Sequence, residues 1–250
     1  MRLALIDGNS LVRPAFEVGG NGTRTLLRVL HGLHYSYSHA VVAFDSTTRS
    51  CRRELYADYK ANRPDPGPEW TAAIFAAYGT ARRAGFCCCA VEGWEADDVI
   101  ATLARRAAER CDVVIFGRDK DFRQLLRPTV KMWHKETGMY DLQSLMDSTG
   151  LSPAQWLDFQ ALVGDSADNI KGVVGIGGKT AVELLLKYEN IDGIYRNLDT
   201  ITGRKKQLLE AGRESLLLSL ELVTLNDQLE INIDPRSSKL AGTKQKTTQR

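Results

Sequence analysis

Nine carboxylates in five short runs are the residues of this sequence best suited to chemistry. They are Asp7 in "IDGN", Asp45 in "AFDS", Glu95, Asp97 and Asp98 in "WEADD", Asp119 and Asp121 in "GRDKD", and Asp165 and Asp168 in "GDSADN". Any one of these runs alone reads as a turn or a helix cap. Gathered in one place, so many anions would repel and raise one another's pKa values unless cations neutralised them. Hard carboxylate oxygens without His or Cys partners select magnesium (Mg2+) or manganese (Mn2+). Two such ions roughly 4 Å apart can activate water and stabilise the leaving oxygen in phosphodiester hydrolysis.

The elements that must position these acids follow from the hydrophobic pattern. "RLALID" ends at Asp7, "AVVAF" stops before Asp45, and "DVVIFG" stops just before Asp119. Each run is short, apolar and without alternation, as expected of strands buried on both faces. A fourth candidate strand, "FCCCAVEG", precedes "WEADDVIATLARRAAER", which has helical periodicity and acids in its first turn. Strands alternating with helices predict an α/β fold with a parallel central sheet flanked by helices. In such sheets ligands bind beyond the carboxyl ends of the strands. Asp7, Asp45, Glu95 and Asp119 are all expected there.

From about Ser152 the pattern becomes wholly helical: "SPAQWLDFQALVG", "TAVELLLKY", "DGIYRNL" and "RESLLLSLELVTLN". The expected division is an α/β domain over 1–150, a helical region over 151–234, and a basic tail, disordered, over 235–250. No internal repeat is present.

Composition bounds the class. The chain has 250 residues, 43% hydrophobic and 26% charged, which is ordinary for a soluble globular protein. No apolar run reaches membrane-spanning length, and the N-terminus turns polar too early for a signal peptide. A cytoplasmic protein with no membrane partner is expected. Five cysteines, three of them consecutive, make a poor disulfide framework and read as small buried hydrophobes. The net charge of +2 conceals an uneven distribution, because nine of the 31 acids lie in the five runs. An acidic pocket on an otherwise basic body suits metal-dependent cleavage of a polyanion.

"GVVGIGGKT" ends as a nucleotide-binding loop would, but that loop needs glycine five residues before Gly178, where Val173 stands. What survives is a glycine turn opening into a helix, which suits a phosphate of a DNA backbone.

In order and spacing the runs resemble the 5′-nuclease family: flap endonucleases, phage 5′-exonucleases and the N-terminal nuclease domain of bacterial DNA polymerase I. The resemblance extends from Asp7 to about Asn226 and rests on "EADD", "DKD" and "GDSADNIKGVVGIGGKTA". It implies a first metal site of Asp7, Asp45, Glu95, Asp97, Asp98 and Asp119, and a second of Asp121, Asp165 and Asp168 with Asp119 shared. It further implies that "GVVGIGGKT" is a helix–three-turn–helix hairpin gripping duplex DNA. Lys171, Gly175, Gly177, Lys179 and Thr180 would face the strand, and main-chain carbonyls of Leu162, Val163, Val173 and Ile176 would bind potassium (K+).

The family also places a lysine and an arginine at the base of a helical arch, here spanning about 59–85. Lys60 and Arg63 in "DYKANR" match, and Tyr59 would stack on a terminal base. Between Pro64 and Ala81 there is no Lys or Arg, so the arch lacks the charge of a threading clamp.

The function so implied is two-metal hydrolysis at the 5′ ends or flap junctions of branched or nicked DNA, an RNA primer strand included, in replication or repair. Asp7, Asp119, Lys60 and Arg63 would be catalytic. The protein would act as a monomer, alone or beside a separate DNA polymerase. The rival reading, a non-catalytic DNA-structure-binding protein of the same fold, is opposed by the complete set of acids.

Overall fold

The apolar runs form β1 (Arg2–Asp7), β2 (His39–Ala43), β3 (Cys87–Cys89) and β4 (Asp112–Phe116), joined by β5 (Val130–His134) and β6 (Gly138–Tyr140). The structure, a computed structural model, describes residues 1–63 and 67–240. The strands lie in the order β3-β2-β1-β4-β5-β6, all parallel except β6, which returns antiparallel on β5. The sheet is therefore mixed and flanked by helices. β5 and β6 are additional to the strands read from the sequence. "VKMWH" is only partly buried and interrupted by a lysine, so its apolar signal is weak.

The helices before β3 are α1 (Gly8–Glu17), α2 (Gly22–Leu33), the short α3 (Cys51–Leu55) and α4 (Gly67–Arg83). Leu26, Leu30, Ile74 and Ala77 from α2 and α4 bury against Ala4, Ile6 and Val42 on one sheet face. Ile74, Ala77 and Ala81 anchor α4 to the body, so Gly67–Arg83 of the arch segment is a packed helix, preceded by turns over residues 59–63. On the opposite face, α5 (Ala96–Ala108) buries Val99, Ile100 and Ala104 against Leu5, Val41 and Ile115. Each fully buried Leu or Ile contributes about 1.5–3 kcal/mol, which fixes α5 and the acids at its start. Asp97 and Asp98 in its first turn and Arg105 and Arg106 in its last complement the helix dipole.

The three consecutive cysteines are half-buried, because β3 is an edge strand. Cys87 and Cys89 lean on one core and Cys88 on the other. Burial pushes the thiols of Cys88 and Cys89 up to about 12 and about 11, so they are poor nucleophiles.

α6 (Leu142–Thr149) leads to α7 (Pro153–Val163), whose Ser152 and Gln155 form a reciprocal capping box. After the glycine loop come α8 (Gly178–Tyr188), α9 (Ile191–Arg196), α10 (Gly203–Ala211) and α11 (Arg213–Val223). Their apolar faces share a separate core around Leu162, Val173, Leu185, Ile194 and Leu216. The helix expected to run to Asn226 stops at Val223. The backbone beyond it is captured instead by the side chains of Arg52, Gln124 and Asp98.

The chain then runs back along α5, where Thr102 and Arg106 bind carbonyls of residues 226–231. The tail expected to be disordered from residue 235 begins with an ordered turn, Pro235–Ser238. Leu240 is buried, and its N–H donates to the carbonyl of Ser38. Residues 241–250 of that expected tail lie outside the described residues. No helix among the described residues is long and apolar enough to cross a membrane.

Candidate functional site

β1 and β4 are adjacent, and Asp7 and Asp119 leave their carboxyl ends at the point where strand order changes direction. Asp7 caps α1 by accepting from the Ser10 N–H at 2.9 Å. It is 5% exposed, and burial, with Asp45 and Asp119 nearby, holds its carboxyl up at about 7 against the pull of the Ser10 bond. Asp119 caps the 3-10 turn Lys120–Leu125, accepting from the Asp121 N–H at 2.9 Å.

Asp45 follows β2 and is clamped by Asn9, whose amide donates to Asp45 Oδ2 at 2.8 Å and whose oxygen accepts from the Asp45 N–H at 3.1 Å. Its other oxygen accepts from Ala96 N–H at the start of α5, at 2.9 Å. Its side chain reaches solvent in the cleft, yet the surrounding protein bulk and then Glu95 raise its carboxyl. Asp97 is raised well above the usual range by burial, then by Asp119 and Asp7.

A second group gathers around Asp121, Asp165 and Asp168. Burial and then Asp119 push Asp121 up to about 8, although Gln160 donates a hydrogen bond to it. Asp165 pairs with Lys120 at 3.0 Å, and Asp168 pairs with Arg63 and, at 3.9 Å, with Lys60. Burial raises Asp168, opposed by Lys60 and Arg63. The loop carrying these two acids folds back on itself at Gly164 and Gly172, both at positive φ. A Cβ on either would stand within about 2.4–2.6 Å of the other strand's backbone, so only glycine fits.

Asp119 lies between the two groups: its charge acts on Asp7, Asp97, Asp121 and Asp168 alike. As they stand, no three metal-ligating side chains among the described residues close into a cage. The acids lacking a cationic partner repel one another, and the others are held by Lys and Arg. Buried, mutually raised carboxylates with only oxygen donors nonetheless fit hard divalent cations.

Two expected roles are corrected by the geometry. Asp98, read as a ligand of the first metal, is fully buried and chelates Arg52 through both oxygens, at 2.6 and 2.8 Å. One of those oxygens also accepts from Asn226 N–H at 2.9 Å. Its lone pairs are committed, and it faces the body of the protein. Tyr59, read as a stacking platform, is 3% exposed, and its hydroxyl donates to Glu95 at 3.1 Å and to Asp168 at 3.3 Å. A buried ring cannot meet a base, so Tyr59 orients carboxylates instead.

Glu95 opens α5 and contacts Lys60 at 2.9 Å and Arg52 at 3.6 Å. Burial would raise it, but Lys60 and Arg52 bring its carboxyl below the usual range. Asn9, Arg52 and Gln160 are the partners that sequence reasoning missed. Asn9 stands within "IDGN", beside an acid already singled out, whereas Arg52 and Gln160 carry no local signal.

The hairpin residues Lys171, Gly175, Gly177 and Lys179 are exposed, and Thr180 is half-exposed. Gly177 opens α8 without a side-chain cap, so among the described residues no N-cap side chain satisfies the first N–H groups of that helix. Lys171 and Lys179 make no ion pair among the described residues. The carbonyls of Leu162 and Val173 accept from the N–H groups of Val173 and Ile176 and close the turn.

Comparison with known proteins gives the family and the fold. Residues 2–150 match the model of the 5′-3′ exonuclease N-terminal resolvase-like domain, and residues 151–246 match that of the 5′-3′ exonuclease C-terminal SAM fold. The chain belongs to the 5′-3′ exonuclease family. It is 33% identical over 242 residues to flap endonuclease Xni of Shewanella denitrificans, covering 93% of this chain and 96% of that one. It is 34% identical over 249 residues to the thermostable DNA polymerase I of Thermus thermophilus, covering 93% of this chain but 30% of the polymerase. The chain thus spans less than a third of that relative. Among solved structures, T5 5′-exonuclease with bound zinc shares the fold, with a TM-score of 0.78, 23% identity and 90% of each chain covered.

Proposed function

We propose that this family member is a 5′-nuclease that hydrolyses DNA phosphodiesters at 5′ ends and flap junctions of nicked or branched duplexes. The observation that carries this reading is Asp119 at the sheet's switch point, its charge bearing on Asp7 and Asp97 in one group of acids and on Asp121 and Asp168 in the other. Asp7, Asp45, Asp97 and Asp119 would hold one divalent ion, with Glu95 at its edge. Asp121, Asp165 and Asp168 would hold a second, with Asp119 shared. When bound, magnesium or manganese supplies water activation and neutralises charge on the phosphate.

The chain's own residues do the rest. Lys60 and Arg63 stand against the carboxylates and carry the positive charge that steadies the scissile phosphate. Tyr59, Asn9 and Gln160 fix the orientation of Asp168, Asp45 and Asp121. The uncapped amides opening α8, with Lys171 and Lys179, grip a duplex phosphate backbone. A potassium ion at the carbonyls of Leu162, Val163, Val173 and Ile176 belongs to the same proposal, as does work beside a separate DNA polymerase in replication or repair.

A flap duplex labelled on the 5′ strand tests the reading. Magnesium-dependent release of products, sized on a gel, supports it. Tight binding without cleavage would favour a DNA-structure-binding protein instead.

A further inference from the structure

A cavity of about 390 Å³ is lined in part by Asp45 and Glu95. Lys60 and Arg63 also contribute to its lining, as do the loop Ser46–Ser50 and Arg53. Trp70 and Ile74 of α4 add apolar surface to the lining, and Arg13 covers the Trp70 ring at 4.9 Å. The volume lies within the ~300–1,000 Å³ of small-ligand sites.

Among the lining residues the carboxylates Asp45 and Glu95 stand with the cations Lys60 and Arg63, and Lys60 pairs with Glu95 at 2.9 Å. Arg49 and Arg53, which also line the cavity, are exposed, and neither makes an ion pair among the described residues. Arg49 donates to the Arg53 carbonyl at 2.8 Å, which brings the two residues together at the start of α3. Arg13, by contrast, is paired with Glu17 at 2.7 Å. Unpaired guanidiniums facing a cleft are suited to bind a phosphate through forked hydrogen bonds. The α4 wall carries no Lys or Arg between Gly67 and Ala81, so it offers no track of charge along which a strand could be drawn.

Resting on the nuclease reading, we infer that this cavity receives the 5′-terminal nucleotide of the cleaved strand, with its terminal phosphate on Arg49 and Arg53. The sugar and base lie against Trp70 and Ile74, and the next phosphodiester faces Asp45 and Glu95. A pocket lined by apolar side chains and unpaired cations selects a 5′-phosphorylated terminus. It favours release of short products from an end over cleavage deep along a flap.

Binding in EDTA separates this inference from the nuclease reading. The probes are a nicked duplex with 5′-phosphate at the nick, the same duplex with 5′-hydroxyl, and a duplex bearing a short 5′-hydroxyl flap. By fluorescence anisotropy the protein should bind the phosphate nick about tenfold more tightly than the other two. The Arg49→Gln/Arg53→Gln double variant should lose that preference while keeping its affinity for the hydroxyl nick within twofold. Equal affinity of the unaltered protein for both nicks would overturn the inference. So would equally tight binding of the hydroxyl flap, because the pocket would then read internal phosphates. A double variant weakened alike on both nicks would also overturn it, by making these arginines general backbone contacts. Adding magnesium to the hydroxyl nick reports separately on hydrolysis: cleavage without end preference leaves the nuclease reading intact, and end preference without cleavage removes it.

Discussion

The ammonium of Lys60 stands 2.9 Å from Glu95 and 3.9 Å from Asp168, bridging an acid at the start of α5 and one in the loop after α7. Lys60 itself has φ of +56°, a left-handed conformation that costs roughly 1–2 kcal/mol for a residue with a Cβ. Its N–H donates to the Asp168 carbonyl at 2.9 Å, so backbone and side chain are tied to one partner. A conformation held against strain at a cleft is a mark of function. Lys60→Met should lower single-turnover cleavage about 100-fold or more while binding of a nicked duplex changes little. Cleavage within threefold of the unaltered protein would remove Lys60 from the catalytic set.

The raised carboxyls make stability depend on pH in a definite direction. Asp7 is held at about 7 and Asp121 at about 8, each first by burial. Between about pH 4 and pH 8 the folded chain retains protons that the unfolded chain has lost, so stability falls as pH rises. In EDTA, the melting temperature should be higher at pH 5.5 than at pH 8.5. At pH 8 magnesium should restore stability, by about 2.7 kcal/mol at a hundred times its dissociation constant. Sodium chloride of equal ionic strength should do less. Replacing Asp121, Asp165 and Asp168 together should shrink the magnesium response, and an undiminished response would show that they bind no metal.

Asp98 separates stability from metal binding. Its pair with Arg52 is buried, and Arg52 also donates to the carbonyls of Leu222 and Thr224. Breaking such a pair costs about 3–5 kcal/mol. Arg52→Met should therefore lower the melting temperature strongly, and Asp98→Asn should lower it too. The magnesium-induced rise in melting temperature should persist in Asp98→Asn. Its loss, with the fold retained, would return Asp98 to the metal site.

Gly177 isolates the hairpin's contact with DNA. Its φ of −91° and ψ of 174° suit any residue, and an added Cβ would meet nothing within 4 Å. Gly177→Val should therefore fold, losing no more than about 1 kcal/mol from the weaker cap. It should still weaken nicked-duplex binding in EDTA several-fold, because the side chain would occupy the approach to the α8 amides. Unchanged binding would make the hairpin an ordinary turn.

The sequence was legible where one segment carries its own signal. Strands β1, β2 and β4 could be read because they are buried on both faces, and each delivers an acid to the same edge of the sheet. α10 was hidden because "RKKQLLE" shows little apolar face, and β6 because three residues carry no period. An aromatic ring beside Lys60 reads the same in the sequence whether it is exposed or, like Tyr59, buried. Nothing local to Asp98 reveals its partner, because Arg52 is 46 residues away and only the fold brings the two together. Arg49 and Arg53 gave no sign of a pocket, since part of its lining comes from α4.

Asp119 tests the central claim most directly. With a 5′-labelled nicked duplex and saturating magnesium, the unaltered protein should release short labelled products. Asp119→Ala should bind the same duplex with similar affinity and cleave it at least 1,000-fold more slowly, on the order of the loss expected when a key electrostatic group is removed. Cleavage by Asp119→Ala within tenfold of the unaltered protein would contradict the two-metal assignment.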